Sequence, residues 1–73
     1  IVDKDSFSKV EIIINSLPEQ QRLIVQLREI EEYEFAEIAK ILDMNETAIR
    51  VSLSRARKII KEKFEEINNY GNT

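Results

Sequence analysis

Between Phe35 and Ile60 two runs of helix-spaced apolar residues meet at a break of only three residues, Asp43-Met44-Asn45. So short a break makes two helices cross steeply at close range, and few folds accommodate that. In the first run Phe35, Ile38, Ala39 and Leu42 share a face, and the small Ala39 permits the close approach such a crossing needs. Asp43 falls where a helix usually ends on a left-handed residue, a conformation aspartate tolerates better than most residues and less well than glycine. Met44 is placed to plug the corner from inside, and Asn45 is a strong cap for the helix that follows.

The second run begins at Glu46 and continues past Phe64. At about 100° per residue, with Ile49 as origin, Leu53, Ala56, Ile60 and Phe64 fall within roughly 60° of it and form a core face. On the opposite side lie Thr47, Val51, Ser54, Arg55 and Lys58, with Arg50, Arg57 and Lys61 along one flank. Val51 is the odd member, because a β-branched apolar residue amid a polar, basic face has no core to enter. A short helix, a tight turn and a longer helix with an outward basic face make the outline of a helix-turn-helix that lays its second helix in DNA.

The rest of the chain supplies a support for that pair. Phe7, Val10 and Ile14 predict a first helix over about 6–15, with Asp5, Ser6 or Ser8 as its cap. Ser16-Leu17-Pro18-Glu19 marks a stop and a restart, since proline disfavours helix in the residue before it and suits a first turn. A second helix is predicted over 18–32 with Leu23, Leu27 and Ile30 as its inward stripe. Ile24 and Val25 widen its apolar surface, and like Ile12 and Ile13 they suit either a core or a partner-facing patch. Helices over 35–42 and 46–67 follow, and the polar tail 68–73 is expected to fray. The expected fold is all-α: a four-helix domain over 1–67, in the winged-helix-like helix-turn-helix class but with no wing.

Composition narrows the chemistry. Seventy-three residues make one domain, and a chain of this size buries only about 60% of its unfolded surface. With no cysteine and no histidine, disulfides, thiolate zinc sites and the usual general base are excluded, so neither an enzyme nor a cofactor is expected. The one glycine, Gly71, leaves no glycine-rich phosphate cradle. No apolar run exceeds three residues and no charged-then-apolar leader opens the chain, so the expected setting is soluble, reducing and cytoplasmic, without membrane contact. A start at Ile1 instead of methionine points to a piece of something longer.

The net charge of −3 argues against a nucleic-acid partner until it is divided along the chain. From Glu46 to Lys63 six cations face two anions, whereas the residues before Glu46 hold five cations and ten anions. Such a domain is steered toward DNA with its acidic side turned away. The commonplace alternative for the basic face is a solvated helix surface. For Glu29, Glu31, Glu32, Glu34 and Glu37, solvent exposure is the first reading, because clustered carboxylates alone fix no metal geometry.

The run LPEQQRLIVQLREIEEYEFAEIAKILDMNETAIRVSLSRARKIIKE, Leu17 to Glu62, resembles region four, the C-terminal DNA-binding domain, of the extracytoplasmic-function group of bacterial sigma factors. Its most specific parts are Leu17-Pro18 with Gln21-Arg22, the step Glu37-Ile38-Ala39, and Thr47-Ala48-Ile49-Arg50 leading into Leu53-Ser54-Arg55-Ala56-Arg57-Lys58. The resemblance implies binding of the minus-35 element of double-stranded promoter DNA, contact with the β-subunit flap of RNA polymerase core and, often, sequestration by an anti-sigma factor. It places base reading on Arg50, Val51, Ser54 and Arg55, and backbone contact near Thr47 and Lys58; the remaining cations of the face, Arg57 and Lys61, are expected on phosphates. Asp43 and Glu32 stand where the family commonly has glycine, and Glu34 where serine or threonine is common, which predicts the loss of a capping or phosphate contact. Val51 and Ser52 replace small polar and basic residues, so the family's DNA sequence does not transfer. Two other classes share parts of the pattern: a stand-alone or response-regulator-type helix-turn-helix regulator, and a helical protein-interaction module.

Overall fold

A computed structural model describes the backbone of residues 4–71 and the side chains of residues 9–67. Helix α1 spans Lys4–Asn15, α2 Glu19–Val25, α3 Phe35–Leu42 and α4 Glu46–Gly71, and a π-helical turn, Gln26–Ile30, continues α2. No strand occurs among the described residues, so the all-α, four-helix class holds, with α3 and α4 forming the helix-turn-helix. Helix α4 packs against each of the other three. It runs on past residue 67 to Gly71.

Each boundary has a local cause. At the end of α1 the Ser16 hydroxyl donates to the Ile13 carbonyl at 2.7 Å, and the Leu17 N–H to that of Ile14 at 3.1 Å. Pro18 is extended (φ −52°, ψ 148°), and its carbonyl accepts from Arg22 N–H at 2.9 Å, which makes it the cap of α2 instead of its first residue. Between α3 and α4 no glycine is needed: Asp43 adopts the left-handed conformation (φ 53°, ψ 51°). The Met44 N–H then reaches back to the Ala39 carbonyl at 2.9 Å, the six-to-one bond of a Schellman turn. Asn45 caps α4 as expected, its Oδ1 accepting from Ala48 N–H at 2.7 Å. Met44 is half-buried against the core and its sulfur accepts from Gln20 Nε2.

The core is a single cluster of Leu17, Ile24, Val25, Ile38, Ile49, Leu53 and Ala56, ringed by partly buried Ile14, Leu27, Phe35, Ala39, Leu42, Met44, Ile59 and Ile60. The α3 and α4 faces are those anticipated, with Ile38 and Ile49 wholly buried. Two others are not. In α1, Ile13 goes inside while Val10 and Ile14 are half-buried and Ile12 is exposed; the Phe7 side chain and the α1 caps lie outside the described residues.

In α2 the buried pair is Ile24 and Val25, at 0% and 1% exposure, whereas Ile30 is 62% exposed. Helix α2 lies against both α1 and α4, so its inward side is a broad face on which neighbouring residues both fit. Ile30 is carried outward by the π turn, in which Glu31 N–H bonds Gln26 carbonyl at 3.0 Å. A turn closed five residues back takes one residue more than an α turn, and every later side chain falls behind the α phase. Glu32 follows with φ 61°, in the left-handed region that glycine enters freely.

This packing sets a clear ordering of substitutions. Ile24→Ala should lower unfolding free energy by about 2–5 kcal/mol, and Ile30→Ala should stay within about 0.5 kcal/mol of the parent, both measured by urea titration. The reverse order would restore the Leu23–Leu27–Ile30 stripe.

Candidate nucleic-acid interface

Burial of Ile49, Leu53 and Ala56 settles how α4 is rotated, and the opposite side follows from that. Thr47, Arg50, Val51, Ser54, Arg55, Lys58 and Lys61 are all exposed, in a row along the helix. Val51, at 41%, is an apolar residue held in solvent among these polar neighbours. Among the described residues, Arg55, Lys58, Lys61 and Lys63 have no ion-pair partner, which leaves four cations uncommitted on one helix, the first three of them in this row.

Arg50 is more constrained. Its Nη2 lies 3.5 Å from Glu46 Oε1 one turn earlier, and its guanidinium sits over the Phe35 ring, 5.0 Å from the centroid. A second guanidinium, that of Arg28, sits over the same ring at 4.5 Å. Arg28 is itself tied down, with Nη1 donating to the Tyr33 carbonyl at 2.9 Å and lying 3.9 Å from Glu34 Oε2. Phe35 therefore does more than fill the core, the only role its helical spacing suggests. No local signal pairs it with residues seven before and fifteen after it; only the docking of α3 against α4 and the π turn does.

Arg57 departs from expectation. Sequence geometry sets it on the flank of the basic face beside Arg50 and Lys61, but its Nε donates to Glu29 Oε1 at 2.8 Å, and Nη2 pairs with the same oxygen. At roughly 80° from Ile49 on the helical wheel it is the flank cation nearest the core side, within reach of the π turn that carries Glu29. It links α4 to that turn, with 58% of its side chain still exposed.

The acidic cluster is exposed as expected, yet it is not idle. Glu29 holds Arg57, and Glu37 Oε1 accepts the Glu34 N–H at 3.0 Å. The second contact corrects the expectation that capping is lost where Glu34 replaces a hydroxyl: Glu34 and Glu37 form a capping box, the Glu34 carboxylate accepting the Glu37 N–H and the Glu37 carboxylate the Glu34 N–H. No described helix is long and apolar enough to cross a membrane.

Compared with known families, residues 9–60 match the family model described as Sigma-70, region 4. No curated protein matches the chain. The matched span contains both Glu29 and Arg57, whose side chains are 43% and 58% exposed. Solvent at that level keeps the pair weak: a double-mutant cycle with Glu29→Gln and Arg57→Gln should give a coupling of about 0.2–1 kcal/mol at low salt. It should shrink in ~1 M salt, where the screening length is about 3 Å. Zero coupling at low salt would remove the link.

Proposed function

The chain belongs to the Sigma-70 region 4 family, and from that premise we propose that it binds the minus-35 promoter element as the C-terminal domain of a sigma factor of the extracytoplasmic-function group. In that role it directs RNA polymerase core to initiate transcription, in the bacterial cytoplasm. The observation that carries the reading is the exposed row on α4, polar and basic with one apolar member, opposite the buried Ile49, Leu53 and Ala56.

The major groove of B-DNA is about 12 Å wide and an α-helix with its side chains about 10–12 Å across, so one helix fits with its outer face on the base edges. Arg50 and Arg55 take guanine O6 and N7, the pairing that a planar fork of N–H donors serves best. Val51 rests on a thymine methyl, a contact only an apolar side chain on that face can make, and Ser54 reaches a base edge or a phosphate. Thr47, Lys58 and Lys61 bind phosphates and fix register without reading sequence. Arg57, on the flank and 58% exposed beside Glu29, joins them as a further phosphate contact.

The partners of this reading are promoter DNA, the β-subunit flap and an anti-sigma factor. Apolar surface for a protein partner exists between α1 and the end of α4, in a groove lined by Ile12, Ile13, Ser16, Lys63, Glu66 and Ile67. Tethering to polymerase raises the effective concentration at the promoter, so modest affinity of the domain alone suits the role.

Titration of promoter-like duplexes against the chain tests this directly. Arg50→Ala and Arg55→Ala should each cost ~1–3 kcal/mol on the preferred site and far less on scrambled DNA; an equal loss on both makes the residue a phosphate contact. Lys58→Ala should weaken every duplex alike and lower the slope of log K against log salt by about one. Binding as a dimer to a palindrome would assign the chain to the stand-alone regulators instead, and no binding at low salt would leave an interaction module.

A further inference from the structure

We infer that Phe35 is a positioning residue for sequence reading: its ring holds the Arg50 guanidinium in place on the DNA-facing row. The inference rests on the proposed role of Arg50 at a base pair and goes beyond it, because it assigns the precision of that contact to a residue of α3 that need not touch DNA.

Arginine is long and rotamer-rich, and it reads a base only when its flat fork lies in the plane of that base pair. On a bare helix surface most of its conformers point elsewhere. Here two neighbours limit them: Glu46 at 3.5 Å, and the Phe35 ring with the guanidinium 5.0 Å above its centroid. The carboxylate contact is long, solvent-exposed and one turn away on the same helix, so it constrains little. The ring holds the guanidinium above its centroid, which limits the conformers open to the side chain. A guanidinium resting on an aromatic ring keeps its N–H donors available around the rim, where guanine O6 and N7 are met.

The ring itself is held by packing. Phe35 is half-buried and packs against the core beside Ile38 and Leu42. The Arg28 guanidinium also lies over it, anchored to the Tyr33 carbonyl in the turn that leads into α3. Core packing and the anchored Arg28 thus both hold the ring on which Arg50 rests. Lysine at position 50 would keep the charge and lose the flat surface that matches the ring.

The test compares the 73-residue chain with Phe35→Leu and Phe35→Tyr, each with Arg50 intact and with Arg50→Ala. Each is titrated with the preferred duplex, with its single base-pair variants and with a scrambled duplex. Phe35→Leu should reduce discrimination by about 3- to 10-fold, the range of a partly exposed cation–π contact, at the base pair whose recognition Arg50→Ala abolishes. It should leave scrambled-duplex affinity and salt slope unchanged and add nothing when Arg50 is already alanine, while Phe35→Tyr retains discrimination. In the free protein the Arg50 Nε–H resonance should carry a ring-current shift with Phe or Tyr at position 35 and lose it with Leu. If Phe35→Leu fails to fold, Phe35→Tyr and that resonance decide, and an absent shift in the parent overturns the inference. Unchanged discrimination in a folded Phe35→Leu, a loss equal on all duplexes, or a loss that persists with Arg50→Ala overturns it as well, leaving the role of Arg50 standing. If Arg50→Ala itself leaves base preference untouched, that role fails and this inference with it.

Discussion

The burial of one strip of α4, Ile49, Leu53 and Ala56, against Ile24, Val25 and Ile38 is the contact on which everything else in this domain rests. These residues are between 0% and 2% exposed, and they come from α2, α3 and α4, so the cluster ties three helices at one point. Its consequence for function is angular. A helix turns about 100° per residue, and a slip of one residue in this packing would swing the basic row a quarter-turn or more from where DNA could meet it. Ala56 contributes by what it lacks, since a larger side chain there would lift α4 away from the cluster and loosen the angle.

A second theme is a tight corner made without glycine. Asp43 and Glu32 both hold positive φ, 53° and 61°, where a Cβ is crowded at a cost of about 1–2 kcal/mol each. The structure around them over-determines the conformation. After Asp43 come the Schellman bond to Ala39 and the Asn45 cap; before Glu32 comes the π turn, and after it the Glu37 cap on α3. Hydrogen bonds on both sides of each strained residue leave it no alternative path. Positions where glycine is the easy solution are thus served by residues that keep side chains on the surface.

How much of this the sequence disclosed depends on the range of the cause. Local causes were legible: the corner at Asp43-Met44-Asn45, the boundaries of α3, the buried and exposed sides of α4 and the exposure of Thr47, Val51, Ser54 and Arg55 follow from periodicity and capping alone. The stripe of α2 was misjudged because periodicity assumes a constant turn, and the π turn breaks that constancy between Leu27 and Ile30. Ile24 and Val25 carried the missing signal, as an apolar excess with two available explanations. The engagement of Arg57 with Glu29 and of Phe35 with two arginines could not be found from spacing, because those pairs meet only once α2, α3 and α4 are docked.

Helix α4 is unbroken from Glu46 to Gly71. Its first half carries the row proposed for DNA, and its second half forms one wall of the groove between Ile12 and Ile67. At about 1.5 Å per residue, Arg55 and Ile67 are some 18 Å apart on a single rod. With one unbroken helix carrying both, the wall of the groove and the arginines share a single rotational phase, the one that the buried strip sets.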